Sequence, residues 1–325
     1  MKERPGHIDQ RDLARILREQ WGLVPGRLRH LPVGFGDHHW ELTGAAGGRW
    51  FVTVAELAGG WRGAGPAAGF VDLRASMETV TALRRAGLEF AVAPVPTVGG
   101  QALARLGAGH AVAVFPYVGR AAGDFGDGLP ERDRLALIAI LARLHGATPL
   151  ARRTALARSP TPASRPALEA ALGELGQPWS GGPYSEPARR LLARQAARLG
   201  RALARFDELV RAAAGSGPPV ITHGEPHPGN IMRSGGGLLL IDWDTAGLAL
   251  PERDLWLAAG DDARAADCYA ELTGRRVSGA AMDLYRLRWS LDDIALSVGD
   301  FRGPHEQDED TELAWAGLTE EMGAI

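Results

Sequence analysis

Six side chains able to move a proton or hold a cation are crowded into one short segment. His223, Glu225, His227 and Asn230 stand in Ile221-Thr-His-Gly-Glu-Pro-His-Pro-Gly-Asn230. Asp242 and Asp244 follow in Leu238-Leu-Leu-Ile-Asp-Trp-Asp244. Pro226, Pro228 and Gly229 keep the first stretch from being the interior of a helix. It reads as a strand end at Val220 to Thr222, a rigid polar loop, and a second strand from Leu238 to Ile241 reached across the Gly235-Gly-Gly237 turn. A carboxylate, an amide five residues on and a carboxylate after the next strand can converge on one point. Such a set offers a general base, Glu225, beside a magnesium site, Asn230 and Asp242, which is the equipment of phosphoryl transfer.

The pattern His-x-acid-x-x-x-x-Asn followed by an Asp after a strand resembles the catalytic core of protein-kinase-like enzymes. The wording His223-Gly-Glu-Pro-His-Pro-Gly-Asn230 with Ile241-Asp-Trp-Asp is similar to the aminoglycoside phosphotransferase and choline kinase branch. The resemblance implies a bilobal α+β fold. Residues 1–114 would form a nucleotide-binding lobe of antiparallel sheet plus helix, 115–118 a hinge, and 119–325 a mainly helical catalytic and substrate-binding lobe. It also implies Mg2+ and ATP or GTP as phosphoryl donor. His223 is expected in a structural role. Two departures stand out. The family usually has Asp where Glu225 stands, a carboxylate on a longer stem that can still accept a proton. It also carries a lysine for the nucleotide phosphates on a strand of the first lobe, and the matching position here is Thr53. Lys2 is the only lysine in the chain, so no other can substitute; Arg49, Arg62, His38 and His39 are the candidates to reach in.

The elements that must position these groups can be read in order. Residues 8 to 21 place Leu13, Ile16, Leu17 and Trp21 at helical spacing. Leu31 to Leu42 reads as two strand-like pieces around a glycine turn. Its residues Gly34, Phe35, Gly36, Asp37 and His38 can lay backbone amides over phosphates. Arg49 to Glu56 alternates as a strand, and residues 71 to 86 form a helix whose Glu78 is the nearest match to the family's lysine partner. Phe90 to Thr97, Gln101 to Leu106 and His110 to Phe115 read as three more strands. The resemblance then makes Phe115, Tyr117 and Val118 the nucleotide-binding hinge, since Pro116 has no N–H to donate. Helices are expected through Leu137 to Leu144, Ala167 to Leu175, Glu186 to Ala214, from Pro251, and through Tyr285 to Ala295. His145 and Asp254 resemble structural residues of the family.

The 325-residue chain has ordinary apolar content, a net charge of −3 and one cysteine, Cys268. That argues against nucleic acid as a partner and against a disulfide framework or a cysteine-rich metal site. No apolar run is long enough to span a membrane, no protein partner is implied, and a cytoplasmic protein is expected. From Asp292 onward ten acidic residues face one basic residue, Arg302. This is read as a solvated acidic loop at Glu306 to Asp310 or as a negative rim for a polycationic substrate. Trp289, Asp292, Asp293 and Asp300 are the candidate substrate contacts. The expected function is transfer of a nucleotide γ-phosphate to a hydroxyl of a cationic small molecule, such as an aminoglycoside or a basic peptide antibiotic of the viomycin and capreomycin kind. The alternatives are a non-catalytic module that binds nucleotide or a cationic small molecule, and a metal-dependent hydrolase using His223, His227, Asp242 and Asp244.

Overall fold

A computed structural model describes Pro5 and residues 8–34, 36–58, 65–119 and 122–325. The chain divides into two compact units. One takes the chain up to Arg158 together with Pro218–Val277, and the other takes Ser159–Gly217 and Ser278–Ile325. The expected hinge, 115–118, lies inside the first unit.

The first unit opens with α1, Gln10–Trp21, started by Asp9 accepting from the Arg11 N–H and stopped by Gly22 at φ 67°. Strands β1 (Pro25–Leu31), β2 (His38–Gly44) and β3 (Arg49–Glu56), helix α2 (Pro66–Arg85), and strands β4 (Ala104–Leu106) and β5 (His110–Pro116) follow. The strands make one antiparallel sheet in the order β1-β2-β3-β5-β4. Side chains alternate between its faces. Trp40, Leu42, Val52, Val54, Val112 and Val114 pack against Leu13, Ile16, Leu17 and Trp21 of α1. A fully buried leucine such as Leu13 or Leu17 contributes on the order of 1.5–3 kcal/mol. The other face carries His39, Thr53 and Ala113 in one register row and Glu41, Phe51 and Phe115 in the next.

The expected strand at Phe90 to Thr97 does not form. Its one bridge joins Ala91 to Leu240, because Pro94 and Pro96 bring no N–H to a ladder. The expected strand from Gln101 is likewise confined to Ala104–Leu106.

The first unit continues with α3 (Glu131–Gly146) and α4 (Thr148–Ala151). The second opens with α5 (Arg165–Gly173) and α6 (Ser185–Ala213). The chain then re-enters the first with β6 (Val220–Thr222), β7 (Ile231–Ser234), β8 (Gly237–Leu240), β9 (Gly247–Ala249), α7 (Glu252–Ala259) and α8 (Ala263–Thr273). β6 pairs with β9, and β7 pairs with β8 as a hairpin. The second unit closes with α9 (Gly279–Arg302) and α10 (Glu309–Ala324), and α9 packs along α6. Phe206, Ile294, Phe301, Leu318 and Met322 fill its core.

The acidic run expected as a loop is one only from Glu306 to Asp308; Glu309 and Asp310 already belong to a helix, α10. Asp308 is the N-cap of α10 and accepts from the Thr311 N–H at 2.8 Å in a capping box. Glu309, Asp310 and Glu312 occupy its first turn. Negative charge there is favoured by the helix dipole. Among the described residues no helix is long and apolar enough to cross a membrane.

Candidate active site

β6 ends at Thr222, and the polar loop begins with His223, fully buried against the Trp243 ring at 4.5 Å. Its Nε2–H donates to the Ile241 carbonyl at 2.8 Å, and its Nδ1 accepts the Glu225 N–H at 3.2 Å. Burial lowers its pKa, so the neutral ring these bonds require is the stable one. Both nitrogens are spent on backbone, which removes His223 from any ligand set. Among the described residues no three or more His, Cys, Asp or Glu side chains are grouped as metal ligands. The hydrolase alternative falls on these two observations.

The loop is pinned from below by Asp254 on α7. Its Oδ2 accepts the His223 N–H at 2.9 Å and its Oδ1 the Gly224 N–H at 2.6 Å. Burial is the largest influence and opposes the Asp254 charge, but the hydrogen bond from His145 and the neighbouring positive charge, Arg253 included, together outweigh it and hold the pKa below the ordinary aspartate range. His145 reaches Asp254 through Nε2 at 3.1 Å and the Tyr269 hydroxyl through Nδ1 at 2.8 Å. Gly224, at φ 105°, has no room for a side chain, since a Cβ there would lie 2.4 Å from the Arg253 guanidinium. On the other edge of β6, Ile221 donates to Thr148 Oγ1 at 2.9 Å.

Asn230 closes a 3-10 turn, Pro228–Asn230, and is buried. Its Nδ2 donates to the Glu225 carbonyl at 3.0 Å and to His227 Nε2 at 3.1 Å. Nδ2 can only donate, so His227 accepts there as a neutral ring; burial pushes the His227 pKa down to about 4. With its amide hydrogens directed this way, Asn230 keeps Oδ1 as its acceptor. The Ile241 N–H donates to the Asn230 carbonyl at 3.0 Å, which brings the residue before Asp242 alongside. β8 is held from its far side too: Leu240 donates to the Phe90 carbonyl at 2.7 Å and accepts from Val92 at 3.0 Å.

Asp242 is exposed and has φ 60°, the one non-glycine residue with positive φ among the described residues. A left-handed backbone costs an L-residue roughly 1–2 kcal/mol, and such strain collects at functional positions. Asp244 is buried. An amide oxygen at Asn230 and an exposed carboxylate at Asp242 are hard donors, and that donor chemistry fits Mg2+.

On the sheet, Gly34 and Gly36 both take positive φ, at 73° and 82°, as the turn before β2 requires. Phe35 and Arg62 lie outside the described residues. Asp37 and His38 are buried. The His38 ring sits near His30 and Trp40, on the α1 face and opposite Thr53. His39 is the histidine that shares a face with Thr53. Its Nδ1 lies 3.2 Å from Thr53 Oγ1 and its ring 5.0 Å from that of Phe51. Burial lowers its pKa to about 3. Strand alternation alone, applied to His38-His39-Trp40, would have separated the two.

Arg49 is committed elsewhere: Nε donates to Glu41 Oε1 at 2.8 Å and the guanidinium lies 3.8 Å over the Tyr117 ring. Arg29 clamps the same carboxylate. Phe115 pairs with Phe51 across β3 and β5, and Tyr117 and Val118 follow half-buried. Glu78 is exposed and lies 3.7 Å from Arg74, a surface pair.

Trp289, Asp292, Asp293 and Asp300 stand at helical spacing on α9 in the second unit. Asp292 accepts from Ser164 Oγ at 2.5 Å and pairs with Arg288 at 3.3 Å. Burial, with Glu321 and Asp292 adding repulsion, pushes the Asp293 pKa up to about 7. Asp300 is exposed.

The catalytic-loop pattern, the strained Asp242 and the antiparallel sheet together describe a kinase-like α+β enzyme. Residues 27–290 match the model of the phosphotransferase enzyme family, and the chain belongs to that family. It is a nucleotide-dependent phosphotransferase acting on an alcohol group. Protein StrN of Streptomyces griseus is 29% identical, over 96% of this chain and 93% of that relative. Among solved structures, spectinomycin phosphotransferase APH(9)-Ia in complex with ADP and spectinomycin superposes with a TM-score of 0.73 at 16% identity, covering 97% of this chain and 94% of the other. Amicoumacin kinase hAmiN in complex with AMP-PNP and Ca2+ gives 0.58 at 14% identity, covering 98% and 94%. At these identities the two structures speak for the fold.

Proposed function

We propose that the chain transfers the γ-phosphate of ATP or GTP to a hydroxyl of a cationic small molecule, with Glu225 as base and Asn230 and Asp242 holding Mg2+. The observation that carries this is the Asn230 amide. Its Nδ2 donates to the Glu225 carbonyl, while the backbone carbonyl of the same residue accepts from the N–H of Ile241, the residue before Asp242. One residue thus ties together the candidate base and both candidate metal-holding positions.

Glu225 accepts the proton of the acceptor hydroxyl as the oxygen attacks the γ-phosphorus, the bond from that phosphorus to the β-phosphate oxygen breaks, and nucleoside diphosphate leaves. Asn230 Oδ1 and the Asp242 carboxylate would hold Mg2+, which would neutralise negative charge on the phosphates. The buried network beneath them, His223, Asp254 and His145, needs no rearrangement during the reaction, as positioning catalysis demands. The half-buried face carrying His39, Thr53, Phe51 and Phe115, together with the turn at Gly34 to His38, receives the nucleotide. Thr53 with neutral His39 offers polar contacts where the family's lysine would place a charge. The hinge contacts come from Phe115, Tyr117 and Val118.

For the acceptor, support comes from the spectinomycin named with the APH(9)-Ia structure and, for its charge, from the acidic balance after Asp292. Asp293, Asp300 and Trp289 are the proposed contacts, whereas Asp292 is engaged by Ser164 and Arg288. An aminocyclitol, an aminoglycoside or a basic peptide antibiotic suits that chemistry.

The test is a mass-spectrometric screen of purified protein, Mg2+ and ATP or GTP against cationic antibiotics and amino-alcohols. A gain of one phosphoryl group on one acceptor, lost in Glu225→Gln by a factor of about 10²–10⁴ while nucleotide affinity holds, is the expected result. No product together with no magnesium-dependent nucleotide binding would favour the binding-only module instead.

A further inference from the structure

Helix α2 meets the rest of the first unit through a cation that no motif marks. Arg158 follows α4 and keeps only 16% of its side chain exposed. A guanidinium so placed must find partners for its donors. Nη1 donates to Asp72 Oδ1 at 2.5 Å and Nη2 to Ser76 Oγ at 2.7 Å, both on α2. Nε and Nη2 donate to the Ala246 carbonyl at 3.1 and 2.8 Å. Ser76 Oγ donates to the same carbonyl at 3.1 Å.

The backbone fixes the arginine as firmly. Its N–H donates to the Leu248 carbonyl at 2.8 Å, and Leu248 donates to Leu156 at 2.8 Å. Gly247 makes the space: a Cβ there would lie 2.5 Å from Arg158 Nε and 2.7 Å from the Leu156 carbonyl. Ala246 in turn donates to the Trp243 carbonyl at 3.1 Å, closing the turn that starts beside Asp242. That turn is held on its entering side by His223 and Asn230, through Ile241. Arg158 and Ser76 hold its leaving side.

We propose that Arg158 is a positioning residue for phosphoryl transfer: it locks the Asp242–Ala246 turn to helix α2 and so maintains the left-handed backbone of Asp242. The proposal rests on the reading of Asp242 as a metal-holding residue. A strained residue persists only where its surroundings over-determine it. Without the Arg158 fork the carbonyl of Ala246 loses two of its donors, and the turn can relax toward an ordinary φ that re-aims the Asp242 carboxylate. Asp72 serves by neutralising and aligning the guanidinium.

The experiment measures ADP affinity by calorimetry, with Mg2+ and with EDTA, for the full chain and for Arg158→Met, Arg158→Lys, Asp72→Asn and Asp242→Asn, with melting curves for each. Methionine keeps much of the apolar stem. In Arg158→Met the magnesium-dependent gain in ADP affinity is expected to fall about 10- to 100-fold while affinity in EDTA stays within about two-fold. Lysine should not rescue it, since a compact ammonium cannot serve Asp72, Ser76 and Ala246 at once. Adding Asp72→Asn to Arg158→Met should cost nothing further. A folded Arg158→Met with an unchanged magnesium-dependent gain overturns the proposal, as does an equal loss with and without Mg2+, which would mark general support of the fold. If Arg158→Met does not fold, Ser76→Ala and Asp72→Asn are read in the same way, and an unchanged gain in both overturns it. Asp242→Asn separates the two readings. If it leaves the magnesium-dependent gain intact, the metal assignment fails and the Arg158 role falls with it. If it abolishes the gain and Arg158→Met does not reduce it, only the Arg158 role fails.

Discussion

His223 donates its Nε2–H to the Ile241 carbonyl at 2.8 Å, and its other nitrogen accepts the backbone N–H of Glu225. One buried ring therefore sets the distance between the candidate base and the segment that presents Asp242. Replacing it with leucine leaves a half-buried N–H and a half-buried carbonyl without these partners, which costs on the order of 1 kcal/mol or more. The expected outcome for His223→Leu is a lower denaturation midpoint together with a fall in kcat larger than the fall in nucleotide affinity. Steady-state kinetics beside urea unfolding checks both.

Asp242 trades stability for position. At φ 60° glycine is unstrained, whereas alanine keeps the full penalty. Asp242→Gly should be more stable than Asp242→Ala by about 1 kcal/mol, and both should lose phosphoryl transfer. Equal stabilities in urea titrations would mean that the left-handed backbone is not maintained in solution.

His39 ties acid stability to the sheet face that carries Thr53. Its pKa falls from 6.5 to about 3 through burial. The unfolded chain takes up a proton near the ordinary value and the folded chain does not, so stability is lost as pH falls below 6.5. His39→Asn keeps a polar partner for Thr53 and removes that proton. The slope of unfolding free energy against pH around pH 5 should flatten by up to about 1.4 kcal/mol per pH unit. Urea unfolding at a series of pH values measures it.

Asp293 has the opposite sign. Its pKa is raised from 3.8 to about 7 by burial, then by Glu321 and Asp292. Folding favours its protonated form, so its contribution is full below the unfolded value and is lost as pH rises through 7. Asp293→Asn should match the wild type near pH 4 and gain on it steadily toward pH 8. Thermal melts at the two ends decide this; a gap that does not widen with pH would place Asp293 in a wetter environment.

Much of the candidate site could be proposed from the sequence because its parts lie close together in the chain. Glu225, Asn230 and Asp242 are separated by one loop and one hairpin, and prolines and glycines at 226, 228, 229 and 235–237 leave few ways to connect them. The antiparallel sheet and the long helices follow from alternation and helical spacing, since period alone decides which side chains can share a face. The strand expected at Phe90 to Thr97 failed where ladder pairing competed with proline chemistry. The acidic loop at Glu306 to Asp310 held only as far as Asp308 and failed at Glu309 and Asp310, which enter a helix, because charge was read without its helix dipole.

What the sequence determined by itself was the kind of chemistry: acid, amide and acid in an order that suits phosphoryl transfer, with a strand position lacking its lysine. The tertiary structure alone decided which groups hold those residues in place. Arg158, Asp72 and Ser76 meet Ala246, and His145 meets Asp254, across long stretches of chain. Long-range hydrogen bonds carry no local period or spacing, so they exist as partners only once the strands and helices have been packed.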